Sequence, residues 1–253
     1  MTLDYNFTLF SFVFMRMIGC IMFNPIFGRK TIPPVVKVAL SFLLALFTYG
    51  LIEQKDIVVT NLFVYGFLLI KELLVGFIAG FIMQLFLSIL TLGGEFMDFN
   101  MGISMSKIYD PQSNVSMALS ASIINAMFIM IFFATNAHLT MIKIFVTLGQ
   151  ISPYGDLSLP TDVFVDVVSL FSLVLAYAIK LALPIMAIEF ITEIGVGLLM
   201  KAVPQINIFA VNIQLKIFLG FVCIVILVGP YAKFIESLID IMFKKIILIL
   251  GIS

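Results

Sequence analysis

Residues 62–92 read LFVYGFLLIKELLVGFIAGFIMQLFLSILTL, an apolar run broken only by Lys71-Glu72 and a few small or neutral polar residues. A helix needs ~20 residues to cross the hydrocarbon layer, so this run exceeds one upright crossing. Apolar side chains occur on every side of it, which marks a helix covered all round by lipid or by other helices. Glu72, Gly76, Gly80 and Gln84 descend one side in steps of four, and Gly76 and Gly80 form a GxxxG pair that lets another backbone come close. That seam calls for a partner helix, in this chain or in another.

Working outward, further apolar runs fall at 7–27, 35–52, 115–134, 139–151, 163–200, 215–228 and 239–252. Two of the eight runs are long for one crossing and others are short. The pattern predicts an all-α, polytopic membrane protein of about five to seven membrane-depth helices arranged as kinked hairpins. Pro25, Pro33 and Pro34 separate the first two runs, Pro184 interrupts the sixth, and Pro204 and Pro230 bracket the seventh. The composition agrees: 62% of the 253 residues are hydrophobic and 11% charged, too little polar surface for a water-soluble fold. With 14 basic and 14 acidic residues and no basic block, nothing points to nucleic acid. Cys20 and Cys223 lie in apolar runs and read as small buried hydrophobes. Residues 1–7 carry no lysine or arginine, so the first run is expected to stay in the mature chain. Arg29 and Lys30 point weakly to a cytoplasmic first connection. The whole chain, 1–253, reads as one helical domain, because neither polar stretch, 93–116 or 152–162, is long enough to fold alone.

Arg16, Lys37, Lys71, Glu72, Lys180, Glu189 and Glu193 all fall inside apolar runs. A charge at the bilayer centre costs roughly 2.5–3.5 kcal/mol on insertion scales. Each must therefore snorkel, find an opposite charge inside a bundle, or face water. Glu189 and Glu193 share one helical face, where like charges repel unless a cation matches them; a cation on a neighbouring chain would do so.

The stretch 93–116, GGEFMDFNMGISMSKIYDPQSNVS, mixes breakers with Phe96, Met97, Phe99, Met101, Met105 and Tyr109. Two readings of this expected loop stand together. Adaptable methionines and aromatics held by Gly93, Gly94, Gly102 and Pro111 suit a plug that seals a pore and repacks on opening. The same side chains suit a re-entrant loop packed beneath the helices.

The single histidine, His138, rules out a multi-histidine metal site, and neither HExxH nor GxSxG occurs, so no catalytic or metal centre is expected. A small-solute transporter would favour paired broken helices in internal repeats, and the two long runs place their charges differently. A passive scaffold is the remaining alternative.

Several ordered motifs resemble the FliR and SctT family of type III secretion export-gate proteins, over nearly the whole chain. They are Arg16 with Pro25, Phe27, Gly28, Ile32 and Pro33; Met101-Gly102 with Asp110-Pro111; Asn136-Ala137-His138 with Pro153 and Gly155; Leu183-Pro184; Gly197-Leu198-Leu199; and Lys201 with Ala202-Val203-Pro204-Gln205-Ile206-Asn207-Ile208-Phe209. Ala137, Lys201 and Glu95 stand where the family more often has glycine, arginine and glutamine. The resemblance implies a helical-hairpin subunit of the bacterial inner membrane at the flagellar basal body, without cofactor. It would join FliP-like and FliQ-like subunits, homologous in helical build, and associate with FlhB-like and FlhA-like proteins to pass unfolded protein. It also implies a gate role for Phe96, Met97, Phe99, Met101, Gly102, Met105, Tyr109, Asp110 and Pro111, and partner or packing roles for Arg16, Pro25, Lys201, Pro204 and Gln205, beside those that the helical seam gives Glu72, Gly76 and Gly80 and the shared charged face gives Glu189 and Glu193. An injectisome subunit of the SctT type shares this outline.

Overall fold

The computed structural model describes residues 5–52, 61–104, 118–151, 153–155, 163–202 and 208–250. These form helices α1 (Tyr5–Met22), α2 (Pro34–Leu51), α3 (Leu62–Asn100), α4 (Leu119–Ala134), α5 (Ala137–Ile151), α6 (Val163–Ala202), α7 (Ile208–Ile226) and α8 (Val228–Ile249). No strand occurs among the described residues, so the fold is all-α, and its long apolar helices are those of a polytopic membrane protein. Three of them, Pro34–Leu51, Leu62–Asn100 and Val165–Ala202, are long and apolar enough to cross a membrane alone. Counting each of two bent pairs as one span raises this to five, the lower end of the expected range. One of those pairs, Val211–Ile226 with Val228–Ile249, is bent by 63°.

Proline places the boundaries with one exception. Pro34 opens α2, where its fixed φ suits a first turn and its missing N–H is not needed. Pro230 likewise lies in the first turn of α8. Pro184 is the exception, since α6 continues through it; the loss is confined to one backbone hydrogen bond in a helix long enough to tolerate it.

The expectation of a loop from Gly93 is corrected. α3 runs on through Gly93, Gly94, Glu95, Phe96, Met97 and Phe99 to Asn100. The two glycines are contact points, not breakers: a Cβ on Gly94 would lie 2.6 Å from that of Ala121, and one on Gly93 2.7 Å from Leu181 Cδ2. The helix ends in the turn Met101-Gly102-Ile103, where Gly102 has φ +79°, the left-handed conformation that favours glycine.

Contacts gather into two compact units interleaved along the chain. Unit 1 comprises Met1–Leu87, Asn136–Leu170 and Asp240–Ser253; unit 2 comprises Ser88–Thr135 and Phe171–Ile239. In unit 1, α1 and α2 form a hairpin zipped by Phe10 against Phe42 and Tyr49 and by Phe14 against Phe42. α5 packs on both. α3 runs alongside α1 in the same direction, since Ser11 meets Tyr65, Arg16 meets Glu72, Gly19 meets Gly76 and Phe23 meets Gly80. In unit 2, α6 contributes a buried stripe of Val174, Ala178, Ala182, Ile185, Glu189 and Val196.

Candidate functional site

The seven charges within apolar runs meet different fates. Lys37 donates from Nζ to the Gly28 carbonyl at 2.8 Å, tying α2 to the turn before it. Lys71 and Lys180 lie over the rings of Phe67 and Tyr177, 4.8 and 4.9 Å from their centroids, one turn or less along their own helices. These three need no functional account.

Arg16 and Glu72 form the core of unit 1. Both are fully buried. Arg16 Nη2 and Nε lie 2.6 and 2.7 Å from Glu72 Oε2, and Nη1 donates to the Leu148 carbonyl at 3.0 Å. The other carboxylate oxygen, Oε1, accepts the Gly155 N–H at 2.9 Å. The Tyr154 ring lies over the guanidinium, 4.1 Å from Cζ to centroid, and burial pushes its phenol up to about 12 against the opposing pull of Arg16. Gly155 adopts φ +80°, and Gly149 leaves room for the tyrosine ring, which a Cβ there would meet at 2.7 Å from Cε2. One ion pair therefore bolts together α1, α3, the end of α5 and the turn after it.

The Gly76 and Gly80 seam faces α1 of the same chain. A Cβ on Gly76 would stand 2.7 Å from the Cys20 nitrogen and 2.9 Å from Gly19 Cα, and one on Gly80 2.9 Å from the Phe23 carbonyl carbon. Pro25 is buried in the turn after α1, where Asn24 Oδ1 accepts the N–H groups of Ile26 and Phe27 at 2.8 and 3.0 Å.

The expected gate residues divide within unit 2. Met97 and Met101 are fully buried, Phe96 is half-buried, and Phe99 is 74% exposed. Met101 sits on α7 at Gly220, where an added Cβ would lie 2.5 Å from Met101 Cγ. Fully buried Asp98 accepts the backbone N–H groups of Leu119 and Ser120 at 2.6 and 3.1 Å. Since Ala118 has no capping side chain, Asp98 caps α4 from across the intervening segment and holds both its ends together. Met105, Tyr109, Asp110 and Pro111 lie outside the described residues, as do Pro204 and Gln205. Lys201 is exposed at the end of α6.

Glu193, 62% exposed at its side chain, pairs with Lys216 on α7 at 3.5 Å. Glu189, one turn earlier, is 1% exposed, and neither of its oxygens has a hydrogen-bond partner among the described residues. Expected together as partner contacts, the two carboxylates differ sharply in surroundings.

Sequence reasoning missed Gly19, Tyr154, Asp98, Lys216 and Gly220. Arg16 and Glu72 are each conspicuous alone, yet no local rule joins residues so far apart. Gly19 is recognisable only once α1 and α3 are known to be parallel.

This is the build of a helical membrane protein whose buried charges and close glycine contacts are met within each unit, apart from Glu189, whose oxygens have no hydrogen-bond partner among the described residues. Comparison with known proteins agrees, as the family described as "Bacterial export proteins, family 1" matches residues 7–242, and the chain belongs to that family. It is similar to Flagellar biosynthetic protein FliR of Escherichia coli (strain K12), 26% identical over 93% of this chain and 90% of the relative. FliR of Bacillus subtilis (strain 168) is also 26% identical, over 87% and 86%. Surface presentation of antigens protein SpaR of Shigella sonnei is 25% identical over 83% of both chains.

Proposed function

We propose that this chain is a subunit of the type III protein export apparatus, in its flagellar form. It would assemble in the inner membrane with FliP-like and FliQ-like subunits into the channel that passes unfolded flagellar proteins, with FlhB-like and FlhA-like proteins associated. The observation that carries the reading is the family match along nearly the whole chain, with relatives named as flagellar biosynthetic proteins matched over 90% and 86% of their length. The likeness to SpaR supports an injectisome role as the second reading. Restoring motility to a strain lacking its own flagellar subunit, but not injectisome secretion to a matching strain, would decide for the flagellar one.

Within that assembly the segment after α3 helps close the passage. Three features support this. Asp98 clasps its two ends, Met97 and Met101 are buried at its base in unit 2, and Phe99 is exposed in the last turn of α3. A seal needs a base that seats in the closed state and an apolar tip that excludes water and ions. Deletion of Phe99 to Tyr109, or Met101→Ala with Met105→Ala, is expected to leave assembly intact and make reconstituted complexes leak ions or small dyes. Tight vesicles from both variants would remove the segment from the seal.

A further inference from the structure

In unit 2, α6 and α7 face each other in a register defined by two carboxylates, a lysine and a glycine. Glu193 pairs with Lys216, and the missing Cβ of Gly220 would lie 3.2 Å from Glu189 Oε1. Glu189 precedes Glu193 by one turn while Gly220 follows Lys216 by one turn. The two contacts are therefore successive rungs of an antiparallel helix pair. On the outer rung an exposed carboxylate holds the lysine. On the inner rung a buried carboxylate holds nothing among the described residues, and the space beside it is taken by Met101.

An unmatched buried carboxylate is costly, and a thioether gives it no hydrogen bond. Lys216 lies within electrostatic reach of Glu189, as does Glu193. Among the described residues, the other ionisable groups nearby are the Cys223 thiol, which the Glu189 carboxylate influences, and the Tyr231 hydroxyl beyond it, and neither supplies a positive charge. A helical turn rises about 5.4 Å, a step within the swing of a lysine's flexible four-carbon stem. Only Gly220 at the inner rung leaves room for a side chain to lie there, and Met101 now fills that room.

We propose that Glu189 is the second seat of a two-position ion pair: Met101, seated on Gly220, keeps Lys216 on Glu193, and Lys216 passes to Glu189 when Met101 withdraws. The inference rests on the reading that the segment after α3 helps close the passage, and it gives Met101 a second defined state. Seated, Met101 is buried and Lys216 has a solvent-screened partner. Withdrawn, Met101 gives up that burial while Lys216 gains a more buried partner, whose stronger attraction is set against the lysine's lost hydration. Each arrangement thus has its own compensating contact, as a two-state element requires. The transfer also frees the Glu193 carboxylate on the outer face of α6, beside exposed Phe190 and Ile194, so a neighbouring subunit there would meet a new negative charge.

Treatment of the assembled complex with a hydrophobic carbodiimide joins a lysine to the carboxylate it contacts, and peptide mass spectrometry identifies which. Native complexes are expected to give the Lys216–Glu193 link. Met101→Ala is expected to lose that link and gain Lys216–Glu189. Glu193→Gln, at an exposed position, is expected to give the Lys216–Glu189 link and to expose Met101 to peroxide oxidation, an exposure that adding Glu189→Gln abolishes. Lys216 remaining on Glu193 in Met101→Ala, or the absence of any Glu189 link in Glu193→Gln, overturns the proposal. Ion leakage measured on the same complexes separates the two ideas. A leaking Met101→Ala complex without the transfer refutes the switch and leaves the seal standing, whereas transfer without leakage supports the switch and refutes the seal.

Discussion

Arg16 illustrates what a buried charge demands. Its guanidinium uses two nitrogens on one carboxylate oxygen of Glu72 and a third on the Leu148 carbonyl, while the Tyr154 ring covers its face. A lysine could reproduce the charge but not the planar fork, nor the stacking. Replacing one partner leaves the other ionised, dry and unmatched, at a cost of about 3–5 kcal/mol, whereas replacing both with apolar residues of similar volume can be nearly neutral. Arg16→Met alone and Glu72→Leu alone are therefore expected to depress the thermal midpoint and the yield of folded protein in detergent. The double variant is expected to recover most of the loss, less the Gly155 N–H that Glu72 Oε1 now accepts. Single variants that melt like the native protein would show that the pair contributes little to stability.

Helices in this chain meet through missing side chains as much as through present ones. Along α1 and α3 the backbones touch at Gly19, Gly76 and Gly80. Gly66, earlier on α3, has open space at its Cβ position. Gly76→Ala must push α1 away and is expected to cost about 1–3 kcal/mol, as overpacked cores do. Gly66→Ala should be neutral or slightly stabilising, because alanine favours the helix. Thermal melts of the two variants check this contrast, and equal effects would remove the seam. Glycines on the same helix thus carry opposite meanings, which explains how far the sequence was legible. The apolar runs, the hairpin turn around Pro33-Pro34 and the Gly76 and Gly80 seam are periodic or local features, and a period survives without a structure. Gly93-Gly94 reads as a break by the same local logic, yet Ala121 and Leu181 approach there and the helix continues to Asn100. The Asp98 clasp on Leu119 and Ser120 was illegible for a different reason: its partners are backbone groups far along the chain, which no side-chain pattern records.

At the scale of the molecule, the outer face of α6 shows what the chain lacks alone. Phe190, Ile191, Leu198 and Leu199 are exposed there, a face that lipid by itself could cover. Glu193 in their midst, 62% exposed at its side chain, is one that hydrocarbon would not cover without cost. Gly195 and Gly197 on the same helix have nothing within 4 Å of a Cβ position, unlike the glycines of the α1 and α3 seam. Small residues open to the outside, next to a charge, suit another helix lying close, and in the proposed assembly that helix belongs to a sister subunit. Gly197→Leu is accordingly expected to leave the melting of the isolated chain unchanged, because no part of this chain occupies the space. Recovery of the complex on a tagged FliP-like subunit should fall severalfold, and Lys201→Glu, at the exposed end of the same helix, should lower it as well. The two measurements must diverge for the argument to hold. A Gly197→Leu chain that is recovered with its partners as well as the native one would mean that lipid, not protein, covers this face.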